Sequence, residues 1–265
     1  MSSNTKTVCL CRKPNASKCK TPLNFIYRLD NVELECVSTE KDVGVNITNS
    51  LTWNTHIHAI TSKANNLLGL LKHPCPLLND VSARCLLYVA LVKSQLSCVT
   101  QVWSLDKIAL KTQIERVQRR ATRWILEQRV GVMSYRDRLL TLKLLSLTFD
   151  RKLKDLVFFY KCLNGFTDLN VSDFVSLVSH GRTRLSISYN LKTPVCKTST
   201  FQTSYFNHIS KLWNYTCKFS PPTSFSTTAS FCNFITEHMF HLLLNHFDIY
   251  YPCTWSVVWS CPCHP

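Results

Sequence analysis

Leu110, Ile114, Val117, Ala121 and Trp124 recur at alternating steps of four and three, the spacing that lines one side of an α-helix. Arg116, Arg119, Arg120 and Arg123 follow the same step on another side. The pattern predicts a helix from Leu105 to Glu127 with one face to pack and four guanidinium groups turned to water. The basic face has two readings. It is either the solvated surface of an ordinary bundle helix or a phosphate-tracking stripe, since Arg stays charged and its planar fork meets phosphate oxygens in pairs.

Similar periodicity organises the rest of the chain. Ile57, Ile60, Ala64, Leu67, Leu68 and Leu71 share a face, with Lys63 and Lys72 off it, and Pro74 and Pro76 end that helix. Asn79 or Asp80 is suited to cap the next one. From Val81 to about Val102 apolar residues fall on nearly all sides, which predicts a central, buried helix. Ser134-Tyr-Arg-Asp137 resembles a capping box ahead of Leu139, Leu140 and Leu142. Thr148 to Leu163 reads as a helix with Leu153, Leu156, Val157 and Tyr160 inward and Arg151, Lys152 and Lys154 outward, ended by Asn164-Gly165. Tyr205, Ile209, Leu212 and Trp213 mark another amphipathic helix, and Phe231 to Phe247 a last one.

Alternation with a period of two is confined to the N-terminal part. Asp30-Asn31 sits between short apolar alternations, a hairpin signal, and Lys41-Asp-Val-Gly44 reads as a turn feeding another strand. The expected fold is mainly α: a short N-terminal β-hairpin or strand element, then a bundle of about six or seven helices. The expected divisions are a flexible basic lead-in (1–24), a β element (25–53), helical parts at 54–130 and 131–219, a Ser/Thr/Pro linker (220–230), and a final helix with its tail (231–265).

Composition narrows the partners. The 265 residues carry 31 Lys and Arg against 16 acidic residues, a net charge of +15, and 45% are hydrophobic, so a real core is available. Such an excess favours polyanions through Coulomb attraction and counterion release. Fourteen cysteines without an N-terminal apolar run fit an intracellular chain, in nucleus or cytoplasm, with reduced thiols. No run of 18 apolar residues occurs, so no membrane-spanning helix and no membrane partner is expected. Five glycines are too few for a Gly-rich phosphate loop.

Several runs, in order, carry a family resemblance: YRLDNVELECVSTEKDVGVNITNSLTWNTHI, SKANNLLGLLK, LVKSQLSCVTQVW, IERVQRRATRWIL, KLKDLVFFYKCLNG, LKTPVCKTSTFQTSYFNHISKLWN and the tail CTWSVVWSCPCH. Over roughly residues 15–265 the chain resembles the part of jockey-like, LINE-type non-LTR retrotransposon reverse transcriptases that follows the catalytic palm. The resemblance implies that Lys41 and Gly44 belong to the primer-grip-like turn at the end of the palm. Residues 54–130 would then be a helical thumb that grips the template–primer duplex, and 131–219 the helical connector. It also implies that Arg116, Arg119, Arg120, Arg123, Lys111 and Lys63 meet an RNA or DNA duplex backbone.

That family polymerises with paired carboxylates that hold two metal ions. No Asp-Asp pair occurs in this chain, and the palm strands that would precede it are not in the sequence. The expectation is a non-catalytic fragment that keeps a sequence-independent nucleic-acid surface. The alternative is a translated relic or helical interaction module that self-associates through apolar faces once packed on a palm.

Other constellations are weaker. Cys253, Cys261, Cys263 and His264 are ligand types that zinc takes, but adjacent Cys263 and His264 suit one tetrahedral ion poorly, and reduced thiols are the other reading. No other cofactor is expected. In Glu237-His238-Met-Phe-His241 the order is wrong for a zinc-protease helix. His56 and His58 are expected in solvent, Cys85, Cys98 and Cys162 in apolar helices as small core residues, and Trp103, Trp124 and Trp213 in the core.

Overall fold

The computed structural model describes residues 6–8, 28–29, 31–72, 80–103, 108–129, 131–178, 189–193, 195, 201 and 204–246. The chain divides into two compact units, Met1–Lys63 and Ala64–Pro265.

The described strands all lie in the first unit: β1 (Lys6–Val8), β2 (Arg28–Leu29), β3 (Val32–Glu33), β4 (Glu35–Val37), β5 (Thr39–Asp42) and β6 (Val45–Thr48). β1 runs parallel to β4, while β2–β3 and β5–β6 are antiparallel pairs. The hairpin expected around Asn31 is β2–β3, and Asn31 takes φ +64°, a value Asn tolerates better than most side chains. In β5–β6 the register Asp42↔Val45 leaves a two-residue loop, Val43 at φ +44° and Gly44 at φ +84°. Two positive φ values in a two-residue loop define the primed turn that matches the strand twist. Lys41 therefore stands on β5, before the turn in which Gly44 sits.

α1 (Asn54–Lys72) starts in this unit. Its first turn corrects one expectation. His56 is buried, not solvated, because its Nδ1 accepts the Asn46 N–H of β6 at 3.3 Å, while His58 remains exposed.

The second unit holds the end of α1 and six more helices. They are α2 (residues 81–96), α3 (Ile108–Ile125), α4 (Tyr135–Thr141), α5 (Leu147–Leu163), α6 (Tyr205–Cys217) and α7 (Thr228–His246). Seven helices after a strand element is the mainly α architecture the sequence predicts.

The caps are where the sequence puts them. Asp80 accepts from the Ser82 and Ala83 N–H groups at 3.1 and 3.0 Å, and Ser134 from the Asp137 N–H at 3.1 Å. Gly165, at φ +71°, closes α5, with Phe166 N–H reaching Lys161 O at 2.9 Å and Gly165 N–H reaching Cys162 O at 3.3 Å. The 220–230 stretch holds a 3₁₀ turn at Pro222–Ser224, and Tyr160 Oη donates to Phe225 O at 3.1 Å.

α2 departs from its expected burial on all sides. It is α-helical over Val81–Leu87, π over Tyr88–Lys93 and α again over Ser94–Leu96. Arg84, Tyr88, Val92 and Leu96 are buried at a strict step of four. Along an α-helix such residues drift about 40° per step. The wider π turns reverse that drift and hold the four on one line. The helix is consequently buried on one side, and Leu86, at 69% exposure, Val89 and Leu91 face outward.

α5 is the central element, packed against α3, α6 and α7. Phe159 meets Trp213 of α6 edge-on at 5.0 Å, and Tyr160 stacks on Phe231 of α7 at 4.3 Å. Neighbours on three sides explain a second correction: Arg151 and Lys152, expected outward, are only 9% and 8% exposed, while Leu153 and Val157 are half-buried. Arg151 lies 5.6 Å over Trp103 and donates from Nε to Leu147 O at 3.2 Å. Of the three cysteines expected as core, Cys162 is buried, Cys85 half-buried and Cys98 exposed. Trp103 and Trp213 are core, whereas Trp124 is half-exposed and carries the Arg84 guanidinium at 5.8 Å.

Candidate nucleic-acid interface

α3 is built as its spacing predicts on the apolar side: Ile114, Val117 and Ala121 are fully buried. The last inward position is Ile125, one residue beyond Trp124. Gln118 and Thr122 join that face, with Gln118 bridging Tyr88 Oη at 2.9 Å and Leu145 O at 2.8 Å. Glu115 is buried too. Tyr135 Oη and the Leu147 N–H donate to it, and burial, the largest influence, holds its carboxyl above the usual range against the pull of those bonds and of Arg151 and Arg119.

On the opposite side the four arginines part company. Arg116 and Arg120 are exposed, Arg123 half-buried. Arg119, at the edge of the row beside Glu115 and Thr122, turns inward and lies 5.0 Å over the Tyr135 ring. The water-facing row is therefore Arg116, Arg120 and Arg123, at steps of four and three. Arg120 Nε donates to Arg116 O at 3.4 Å and Arg123 Nε to Arg119 O at 3.2 Å. These bonds tie each guanidinium back to the helix one turn earlier.

None of the three has a carboxylate within ion-pair distance among the described residues. Other cations of the chain do: Arg84 pairs with Glu127 at 2.5 Å, Lys93 and Lys154 with Asp150 at 2.8 and 3.1 Å.

The row has a neighbour the sequence did not assign to it. Lys72, exposed in the last turn of α1, is held below its usual ammonium range by part-burial of its side chain first, then by the charges of Arg120 and Arg123. Buried Arg138 of α4 stands near as well: burial, then Arg123, lowers its guanidinium. The available signal for Lys72 was a cation in the last turn of a helix, where the macrodipole favours one, but only tertiary packing sets it beside α3.

The remaining assigned residues lie elsewhere. Lys111 is five residues before Arg116, far round the helix from the row, and its charge bears on His208 of α6. Lys63, Lys41 and Gly44 belong to the first unit, all exposed. Cys253, Cys261, Cys263 and His264 lie outside the described residues, as does Arg182-Thr-Arg184. Among the described residues no three of His, Cys, Asp and Glu come together as a metal site, and no helix is long and apolar enough to cross a membrane. The chain matches no family model, no curated protein and no solved structure.

Proposed function

We propose that the outer face of α3 binds the phosphate backbone of nucleic acid without reading its sequence, in a chain descended from a LINE-type reverse transcriptase and lacking the palm carboxylates. The observation that supports this reading is the row Arg116, Arg120 and Arg123, which faces water without a carboxylate partner among the described residues. Surface arginines in a bundle helix are ordinarily offset by acids one turn away. Here the chain sets three guanidiniums in line, on a molecule of net charge +15. An intracellular setting, nucleus or cytoplasm, goes with this partner.

Replacing Arg116, Arg120 and Arg123 together by Gln is expected to weaken binding to duplex DNA. Each lost phosphate contact lowers the slope of log K against log salt by about 0.9, so the triple variant should flatten it by nearly three. An unchanged slope would overturn the reading. A primer-extension assay on the 265-residue chain should show no incorporation.

A second reading, a helical interaction module, draws on a different observation: the exposed apolar face of α2 formed by Leu86, Val89 and Leu91.

A further inference from the structure

We propose that Lys72, Arg120 and Arg123 together form one anion site that takes a phosphate monoester, the terminal phosphate of a nucleic-acid strand. The inference rests on the nucleic-acid reading above and deepens it.

Three cations from two elements converge here, Lys72 from the end of α1 and the two arginines from the middle of α3. Among the described residues no acid pairs with any of them. Like charges held together raise one another's energy, and the lowered ammonium of Lys72 expresses that cost. An anion reverses the sign. With one bound, each cation gains a partner and the arrangement becomes favourable.

The arginines are also prepared for it. Their Nε groups are committed to Arg116 O and Arg119 O, which leaves the terminal Nη donors without a protein acceptor among the described residues. A guanidinium anchored in this way loses little freedom on meeting a ligand.

The count of cations selects the kind of phosphate. An internal phosphodiester has one negative charge and two non-bridging oxygens. A monoester has three terminal oxygens and between one and a half and two negative charges near neutral pH, about one oxygen for each cation here. Arg116, one turn before Arg120, remains to follow the next phosphate along the strand.

The test compares two oligonucleotides of one sequence, 5′-phosphorylated and 5′-hydroxyl, by fluorescence anisotropy on the full chain, with inorganic phosphate followed in parallel by ³¹P line broadening. The 5′-phosphate strand should bind about tenfold more tightly, the range expected of a charge-assisted contact. Lys72→Gln should bring that ratio to about one, and Lys72→Arg should keep most of it. Equal affinities in the unaltered chain would overturn the proposal, and so would discrimination that survives Lys72→Gln. If neither strand binds but inorganic phosphate broadens with the chain and not with Lys72→Gln, the anion site stands and the nucleic-acid reading falls. Absence of binding to all three probes overturns both.

Discussion

Two residues on facing helices carry opposite and unusual acid–base behaviour. Asp155 of α5 is buried, its Oδ1 has no hydrogen-bond partner, and burial pushes its carboxyl from 3.8 up to about 7 against the pull of Arg151, Lys152 and Lys154. His208 of α6 is half-buried, and burial first, then Lys152, Lys111, Lys211 and Arg151, drives its imidazole from 6.5 down to about 4. Tyr205 Oη links the two helices by donating to Asp155 O at 2.9 Å. The folded chain holds a proton on Asp155 that the unfolded chain releases, so that group loses stability as pH rises from about 4 to 7. It excludes a proton from His208 that the unfolded chain binds, so that group loses stability as pH falls from about 6.5 to 4. Between those limits the two slopes have opposite sign and cancel. Asp155→Asn should therefore expose the histidine's slope, stability relative to the parent falling on acidification, while His208→Gln should expose the reverse. Each slope is bounded at about 1.4 kcal/mol per pH unit. Urea unfolding of the parent and both variants from pH 4 to 7 checks this, and parallel curves for all three would sink it.

At the scale of elements, turn chemistry was legible where the residue type announced it and hidden where it did not. Gly165 and Asp80 are end signals that any helical pattern would use, and both act as such. Lys143, at φ +52°, ends α4 as Gly165 ends α5, with Leu144 N–H reaching Leu139 O at 2.9 Å, yet nothing about a lysine marks a left-handed cap. Glu127, also at φ +52°, closes α3 in the same way, with Gln128 N–H on Arg123 O at 3.0 Å. The row on α3 could be read from spacing because Arg116, Arg120 and Arg123 repeat on one helix. The inward turn of Arg119 could not, because Tyr135 comes from another element. The same limit hid Lys72 beside the row and the burial of Arg151 over Trp103. Val43 offers the sharpest test at this level. It is β-branched, 82% exposed, and sits at φ +44° where the turn wants Asn or Asp. Val43→Asn keeps Gly44 behind it and removes the crowding of a branched Cβ in the left-handed region, a relief of about 1 kcal/mol. Thermal melting should move upward, and amide exchange in β5 and β6 should slow. A lower melting point would mean that Val43 makes contacts worth more than the strain.

For the molecule as a whole, the decisive feature is how charge and apolar surface are divided. The net charge is +15, yet the exposed side of α2 has none: Arg84 and Lys93, its two cations, are turned to Glu127 and Asp150. Leu86, Val89 and Leu91 are thus an uncharged apolar face on a strongly cationic chain. The two faces must answer salt in opposite directions. Nucleic-acid binding through α3 weakens as salt rises, because the counterion release that drives it is worth less. Contact between apolar faces, if the chain associates there, strengthens, because salt screens the repulsion between two cationic molecules without touching the contact itself. Sedimentation without nucleic acid, from about 0.1 M to 1 M salt, where the screening length shrinks from about 10 Å to 3 Å, separates the two proposed readings. If the interaction module is right, association rises with salt, and Leu86→Glu abolishes it while leaving the salt slope of duplex binding unchanged. A monomer at every salt concentration removes that reading and leaves the arginine row of α3 as the functional surface.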